Sequence, residues 1–259
     1  MNNKEYKVLS DRFFEYVNNY RDNDGKFCSL LEEKLNHIKR VANNAVFIAK
    51  NEKWSEEDCL IAEICGLYHD IGRFFQYKTY KTFSDAKSVN HGQQGFDVIN
   101  SNNLFDILSE EDKQTVLDSV HFHNSLEIPD GLNEKSFRFT KLTRDADKLD
   151  IFFMLTETIR TKTLDNHKDL LWNLPIGEPN PSIVNKLMSG SQALYSEIKN
   201  ATDVVLLQLC WLYGMNYDSS ILRIKQNNTL ELLASIVPHT DEITNCFKHM
   251  MDYIDNRNK

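Results

Sequence analysis

Apolar residues recurring three and four positions apart limit what this chain can become more than any other feature. Between residues 27 and 50, Leu31, Leu35, Ile38, Ala42, Ala45 and Ala49 fall on one helical stripe, and His37 lies beside it. A second helix opens at Ser55, where Asp58 three residues on makes an approximate capping box. It runs through Leu60, Ile61, Ile64 and Leu67 to stop near Gly72, so that His69 and Asp70 close its last turn. Ser109 and Asp112 mark another N-terminus, after which Val116, Val120 and His123 share one side. From Phe137 to Lys162 the residues Leu142, Ala146, Leu149 and Phe153 keep helical spacing, with Asp147 turned about 100° from Ala146. Residues 183–200, 203–216, 220–236 and 240–256 read as further helices. The period-two alternation of half-buried strands is almost missing, and the expected fold class is all-α.

Between these helices, residues 76–90 (QYKTYKTFSDAKSVN) mix aromatics with lysines and lack an apolar period, so a long loop is expected, with His91 opening the next helix. The Pro/Gly-rich stretch at 173–182 reads as a linker between two helical layers. "DNDGKF" at 22–27 has the look of a calcium loop. With Gly25 in the sixth place, however, the first falls on Tyr20 and the twelfth on Leu31, which brings no carboxylate. It is read as a turn.

At 259 residues the chain can bury roughly 70–75 % of its unfolded surface, enough for a core without staples. Its five scattered cysteines form no metal-clamp pair and are expected to be reduced. A net charge of −8 argues against an extended nucleic-acid footprint. The N-terminal MNNKEYKVLS has no apolar leader, and the longest apolar run, Val204 to Met215, is interrupted by Gln208; a cytoplasmic protein that does not enter membranes is expected.

Against this background, His37, His69, Asp70, His91, His123 and Asp147 all occur at helix ends or beside apolar stripes. Singly, each has a plain reading: a hydrogen-bonded core histidine, or, for Asp147, a surface acid paired with Arg144. Together they are harder to explain, because burying two carboxylates and four imidazoles without a cation costs several kcal/mol per unpaired charge. Nitrogen and oxygen donors of these kinds suit divalent transition metals, and six could share two ions if one carboxylate bridges.

The order His, His-Asp, His, His, Asp resembles the HD superfamily of metal-dependent phosphohydrolases. The likeness rests on five blocks in the family's order, "HIKRVANNAVFIAK", "AEICGLYHDIGRF", "VNHGQQGFDVI", "SVHFHN" and "RDADKLD", spread over residues 35 to 155. It implies a helical bundle in which residues 27–165 form the metal-binding core, 1–26 a helical extension, and 166–259 C-terminal helices packed on the core as one unit. It also implies that His37, His69, Asp70 and Asp147 hold one ion, that Asp70 bridges, and that His91 and His123 complete a second site. The cofactor is then one or two divalent ions (Mn, Fe, Co, Ni, Mg or Zn). Some two-metal branches carry a further histidine where this chain has Asn124.

Two divalent ions bring more charge than Asp70 and Asp147 cancel, which favours an anionic substrate. The implied reaction is hydrolysis of a small phosphoester, with a nucleotide as candidate, by a metal-activated hydroxide. Asp70 is the catalytic centre; Arg73 and Lys148, next to ligands, could neutralise phosphate oxygens, and Lys78 and Lys81 (with Lys87) could close over a substrate. His121 is a candidate proton donor. In the family's triphosphohydrolase branch a tyrosine and an aspartate follow the last metal ligand at four and eight residues; here those places hold Ile151 and Leu155. Two other readings share the ligand order: a mixed-valent di-iron oxygenase, and a non-catalytic nucleotide-binding domain. Oligomeric state is open, a homodimer being one option.

Overall fold

A computed structural model describes residues 1–257. Among them every regular element is helical. By internal contacts the chain resolves into two compact units, Met1–Asp147 and the remainder from Lys148 onward.

The first unit opens with α1 (Asn3–Asn18), capped by the Asn2 side chain, and continues with α2 (Ser29–Asn51) and α3 (Glu56–Tyr68). The expected start at Ser55 is observed: its hydroxyl accepts from the Asp58 amide. α2 lies along α3, and the approach is closer than side chains usually allow. A Cβ on Gly66 would stand 2.7 Å from the Ala42 Cα. That missing carbon lets His37 of α2 reach the end of α3. α1 covers the other side of α3, where buried Tyr68 donates to the Leu9 carbonyl and packs edge-on against Phe13 and Phe105.

After a tight turn through Asp70 and Ile71 comes α4 (Gly72–Tyr80). This corrects the expected loop at 76–90, whose first five residues are helical. The period was hidden because the buried face of α4 carries the polar Gln76 beside Gly72 and Phe74. Lys81, in left-handed conformation at φ 55°, ends the helix. A short irregular segment with a single 3-10 turn at Asp85–Lys87 leads to α5 (His91–Ser101), α6 (Glu110–Phe122) and α7 (Glu134–Arg160). The boundary between the units falls within α7. Gly72 is a second close approach: a Cβ there would lie 2.5 Å from the His91 carbonyl oxygen, so α4 and the start of α5 touch through backbone.

The second unit holds α8 (Pro181–Met188), α9 (Ala201–Cys210), α10 (Asp218–Gln226), α11 (Thr229–Ala234) and α12 (Asp241–Arg257). All ten residues of α9 are buried, which explains an apolar run without a polar face. Three expected helices are shorter or divided. Residues 183–200 are helical only to Met188, where Gly190 at φ 75° turns the chain. Residues 203–216 finish as a 3-10 turn at Trp211–Gly214. Residues 220–236 split at Asn228, whose φ of 51° is a conformation asparagine tolerates better than most. No helix among the described residues is long and apolar enough to cross a membrane.

Candidate metal centre

Three helix ends and two helix interiors deliver the donors. His37 projects from the buried stripe of α2, His69 caps the C-terminus of α3, and Asp70 follows it. His91 is the first residue of α5, His123 caps the C-terminus of α6, and Asp147 lies within α7. The four imidazoles and Asp70 are buried, whereas the Asp147 side chain is 25 % exposed.

Asp70 is the hinge of the arrangement. Its Oδ2 lies 3.5 Å from His37 Nε2 and 3.4 Å from His69 Nε2, and its Oδ1 lies 3.4 Å from His91 Nε2 and 3.7 Å from His123 Nε2. The two oxygens of one carboxylate thus address two separate pairs of imidazoles. Asp147 joins the first pair, with Oδ1 3.3 Å from His37 Nε2 and 3.9 Å from His69 Nε2. Three groups result, each with ligand atoms within 4.8 Å of one another: His37, His69 and Asp70; His69, His123 and Asp147; Asp70, His91 and His123.

The hydrogen bonds fix which ring nitrogens face inward. His69 Nδ1 is 2.7 Å from the Gly66 carbonyl and His123 Nδ1 is 2.8 Å from the Val120 carbonyl, contacts only an N–H can satisfy. His91 Nδ1 donates in the same way to Asp85 Oδ2 at 2.6 Å. In the neutral rings each Nε2 then presents a lone pair to the centre. His91 Nε2 and His123 Nε2 stand 3.0 Å apart, and His37 Nε2 and His69 Nε2 3.3 Å apart. The facing lone pairs of His91 and His123 repel unless a cation or proton lies between them. Asp70 Oδ1, moreover, is buried with no hydrogen bond, only the Arg73 guanidinium lying near it at 3.3 Å, which leaves it room for a cation. These features fit divalent metal ions, and the mix of imidazole and carboxylate suits a transition metal.

Electrostatics agree. Burial pulls His69 below the usual imidazole range and His91 to about 4. Burial also pushes Asp70 up, but Lys34, His69 and Arg73 outweigh it and hold the carboxyl well below its ordinary value. Asp147 is likewise pushed up by burial and drawn lower overall by its hydrogen bond to His37.

The other expected residues are placed differently. Arg73, on α4, brings Nε to 3.3 Å from Asp70 Oδ1, while its Nη1 engages Gln76, the Phe83 carbonyl and Asp85. Lys78 and Lys81 are exposed on and just after α4, with Lys81 Nζ 5.8 Å from the Tyr77 ring centre. Lys148 belongs to the second unit, where its Nζ lies 3.7 Å from the place a Cβ on Gly214 would take. His121 stacks on Phe122, lies tilted against Phe96, and is in none of the converging groups of described residues. Two positions from His123 on a helix is about 200° of rotation, which turns it away. Arg144 donates to the carbonyls of Phe122, His123, Ser125 and Leu126, capping the end of α6.

Two residues of the centre escaped the sequence reading. Lys34 Nζ lies 2.9 Å from Asp70 Oδ2. Its signal was the three-residue spacing to His37, which puts both on one face of α2. Asp85 had no comparable signal, since it comes from an irregular segment.

Residues 35–153 match the family model described as HD domain. Searches among curated proteins and among solved structures return no match to the chain. With the helical fold, the family match over residues 35–153 of 259 is consistent with the HD-domain superfamily, which the chain resembles along that segment. Its His/Asp cluster is a candidate metal site of that superfamily, in which metal-dependent hydrolysis predominates.

Proposed function

We propose that this chain is a metal-dependent phosphohydrolase acting on a small phosphoester, with a nucleotide as the first candidate substrate. The observation that supports it most is the split of Asp70, one oxygen toward His37 and His69 and the other toward His91 and His123. Asp147 belongs with the first pair. In this reading His37, His69, Asp70 and Asp147 would hold one ion, and Asp70, His91 and His123 a second. Bound divalent ions would supply a water acidified toward neutrality and Lewis-acid polarisation of a phosphoryl oxygen.

The chain's own residues do the rest. Asp70 and the imidazoles hold their positions because helix ends and buried packing fix them, so little reorganisation is needed when substrate arrives. Lys34 and Arg73 flank Asp70 from opposite oxygens and add positive charge that a phosphate can answer. Lys148, Lys78 and Lys81 stay in the proposal as peripheral candidates for substrate charge, whereas His121, turned away from the centre, is not carried forward as the proton donor.

The test is phosphate release from nucleoside mono-, di- and triphosphates and cyclic nucleotides with Mn, Co, Ni, Mg or Fe, using Asp70→Ala as the blank. Metal-dependent release that the blank lacks is expected. Oxygen uptake with a mixed-valent iron signal and no phosphate release would overturn the hydrolase reading, and so would a blank as active as wild type.

A further inference from the structure

The histidines of the centre are not all held alike. His69 and His123 stand at helix C-termini, where the carbonyl three residues back is left open by the end of the helix and can accept from Nδ1. His91 has no such carbonyl. It is the first residue of α5, and a helix N-terminus offers orphan N–H groups, which cannot accept. An acceptor must come from elsewhere, and Asp85 supplies it: Oδ2 takes the His91 Nδ1 proton at 2.6 Å and lies 3.4 Å from the His91 backbone nitrogen. A carboxylate at that place is also favoured by the positive end of the α5 dipole.

Asp85 is itself held from several sides. Its Oδ1 accepts from Arg73 Nη1 at 2.8 Å and from Gln76 Nε2 at 2.9 Å, both on α4. The same two side chains fasten the rest of the segment, Arg73 to the Phe83 carbonyl at 2.6 Å and Gln76 to Ser88 Oγ at 2.8 Å and the Val89 carbonyl at 3.0 Å. Asn124, one residue past His123, brings Nδ2 to 3.4 Å from Asp85 Oδ2. One carboxylate thus links α4, the 81–90 segment and the start of α5.

Resting on the two-ion reading above, we infer that Asp85 is a positioning residue for the half of the centre made by Asp70, His91 and His123. By holding the proton on Nδ1 it keeps His91 Nε2 free and aimed at Asp70 Oδ1. Outer carboxylates of this kind also raise the basicity of a ligating imidazole.

The test compares wild type, Asp85→Ala and Asp85→Asn, stripped of metal and titrated with Mn²⁺ by calorimetry, with the imidazole ¹⁵N spectrum of His91 recorded on the metal-free proteins. In Asp85→Ala one binding step, that of the half made by Asp70, His91 and His123, should lose about 10–100-fold in affinity while the other is unchanged. Asp85→Asn, which retains an acceptor oxygen, should restore most of that loss. The ¹⁵N spectrum should report an Nδ1–H ring in wild type and a redistributed proton in Asp85→Ala, without requiring any ion. An Nε2–H ring in wild type, wild-type affinity for both steps in Asp85→Ala, or equal weakening of both steps would overturn the assignment. If wild type takes up no Mn²⁺ while its His91 is Nδ1–H, the failure lies with the metal reading.

Discussion

His91 Nε2 faces His123 Nε2 at 3.0 Å, with the Nδ1 proton of one ring given to Asp85 and that of the other to the Val120 carbonyl. Two lone pairs brought together in a buried site are a poor arrangement for stability and a good one for seizing a cation. The same burial governs how the metal-free protein answers acid.

Burial lowers His69 and takes His91 to about 4, whereas imidazoles of the unfolded chain titrate near ~6.5. Below that value the unfolded state binds more protons than the folded one, so stability falls with falling pH. For His91 the contribution is complete above ~6.5 and is lost toward about 4, at up to about 1.4 kcal/mol per pH unit, and His69 acts in the same direction. Urea midpoints of the metal-free protein between pH 7.5 and 4.5 should fall accordingly; a flat profile would contradict this.

Lys34 places an ammonium 2.9 Å from Asp70 Oδ2. It thereby competes with any cation for that oxygen. Replacing it, as in Lys34→Met, should raise the affinity for a divalent ion, on the order of tenfold at low ionic strength. Calorimetric titration reads this directly, and weakened binding would show that Lys34 supports the site in some other way.

Gly66 allows α2 and α3 to meet. In Gly66→Val the new Cβ would fall 2.7 Å from backbone Cα of Ala42, which no side-chain rotation can relieve. The variant should lose at least about 1–3 kcal/mol in urea unfolding and, because His37 withdraws with α2, bind metal more weakly. Unchanged stability would mean that the helices can part at little cost.

Arg144 closes the end of α6 through the carbonyls of Phe122, His123, Ser125 and Leu126. Hydrogen bonds from a charged, half-buried donor contribute about 1.5–3 kcal/mol. Arg144→Met should lose unfolding free energy in that range, read as a lower thermal midpoint, and loosen His123. A midpoint equal to wild type would assign the capping to solvent.

Much of this was legible in the sequence. Wherever one face was buried and apolar, as along α2, spacing alone gave the helix, and the serines at 55 and 109 gave the start of two others. The six donors could be picked out because polar residues beside apolar stripes need partners. What escaped has a common cause: polar side chains doing interior work. Gln76 disguised α4 as loop, Asp85 lay in a segment without period, and Arg144 served backbone carbonyls rather than the neighbouring acid its spacing suggested. Turns set by left-handed residues, at Gly190 and Asn228, likewise leave apolar periodicity intact and so do not announce themselves.

The central claim is tested most directly by metal content. Purified wild type, stripped and re-exposed to Mn²⁺ or Co²⁺, should retain at least one and up to two ions per chain after exhaustive dialysis, measured by elemental analysis, and Asp70→Ala should retain none. A folded wild type that holds no ion, or an Asp70→Ala that holds as many, would contradict it.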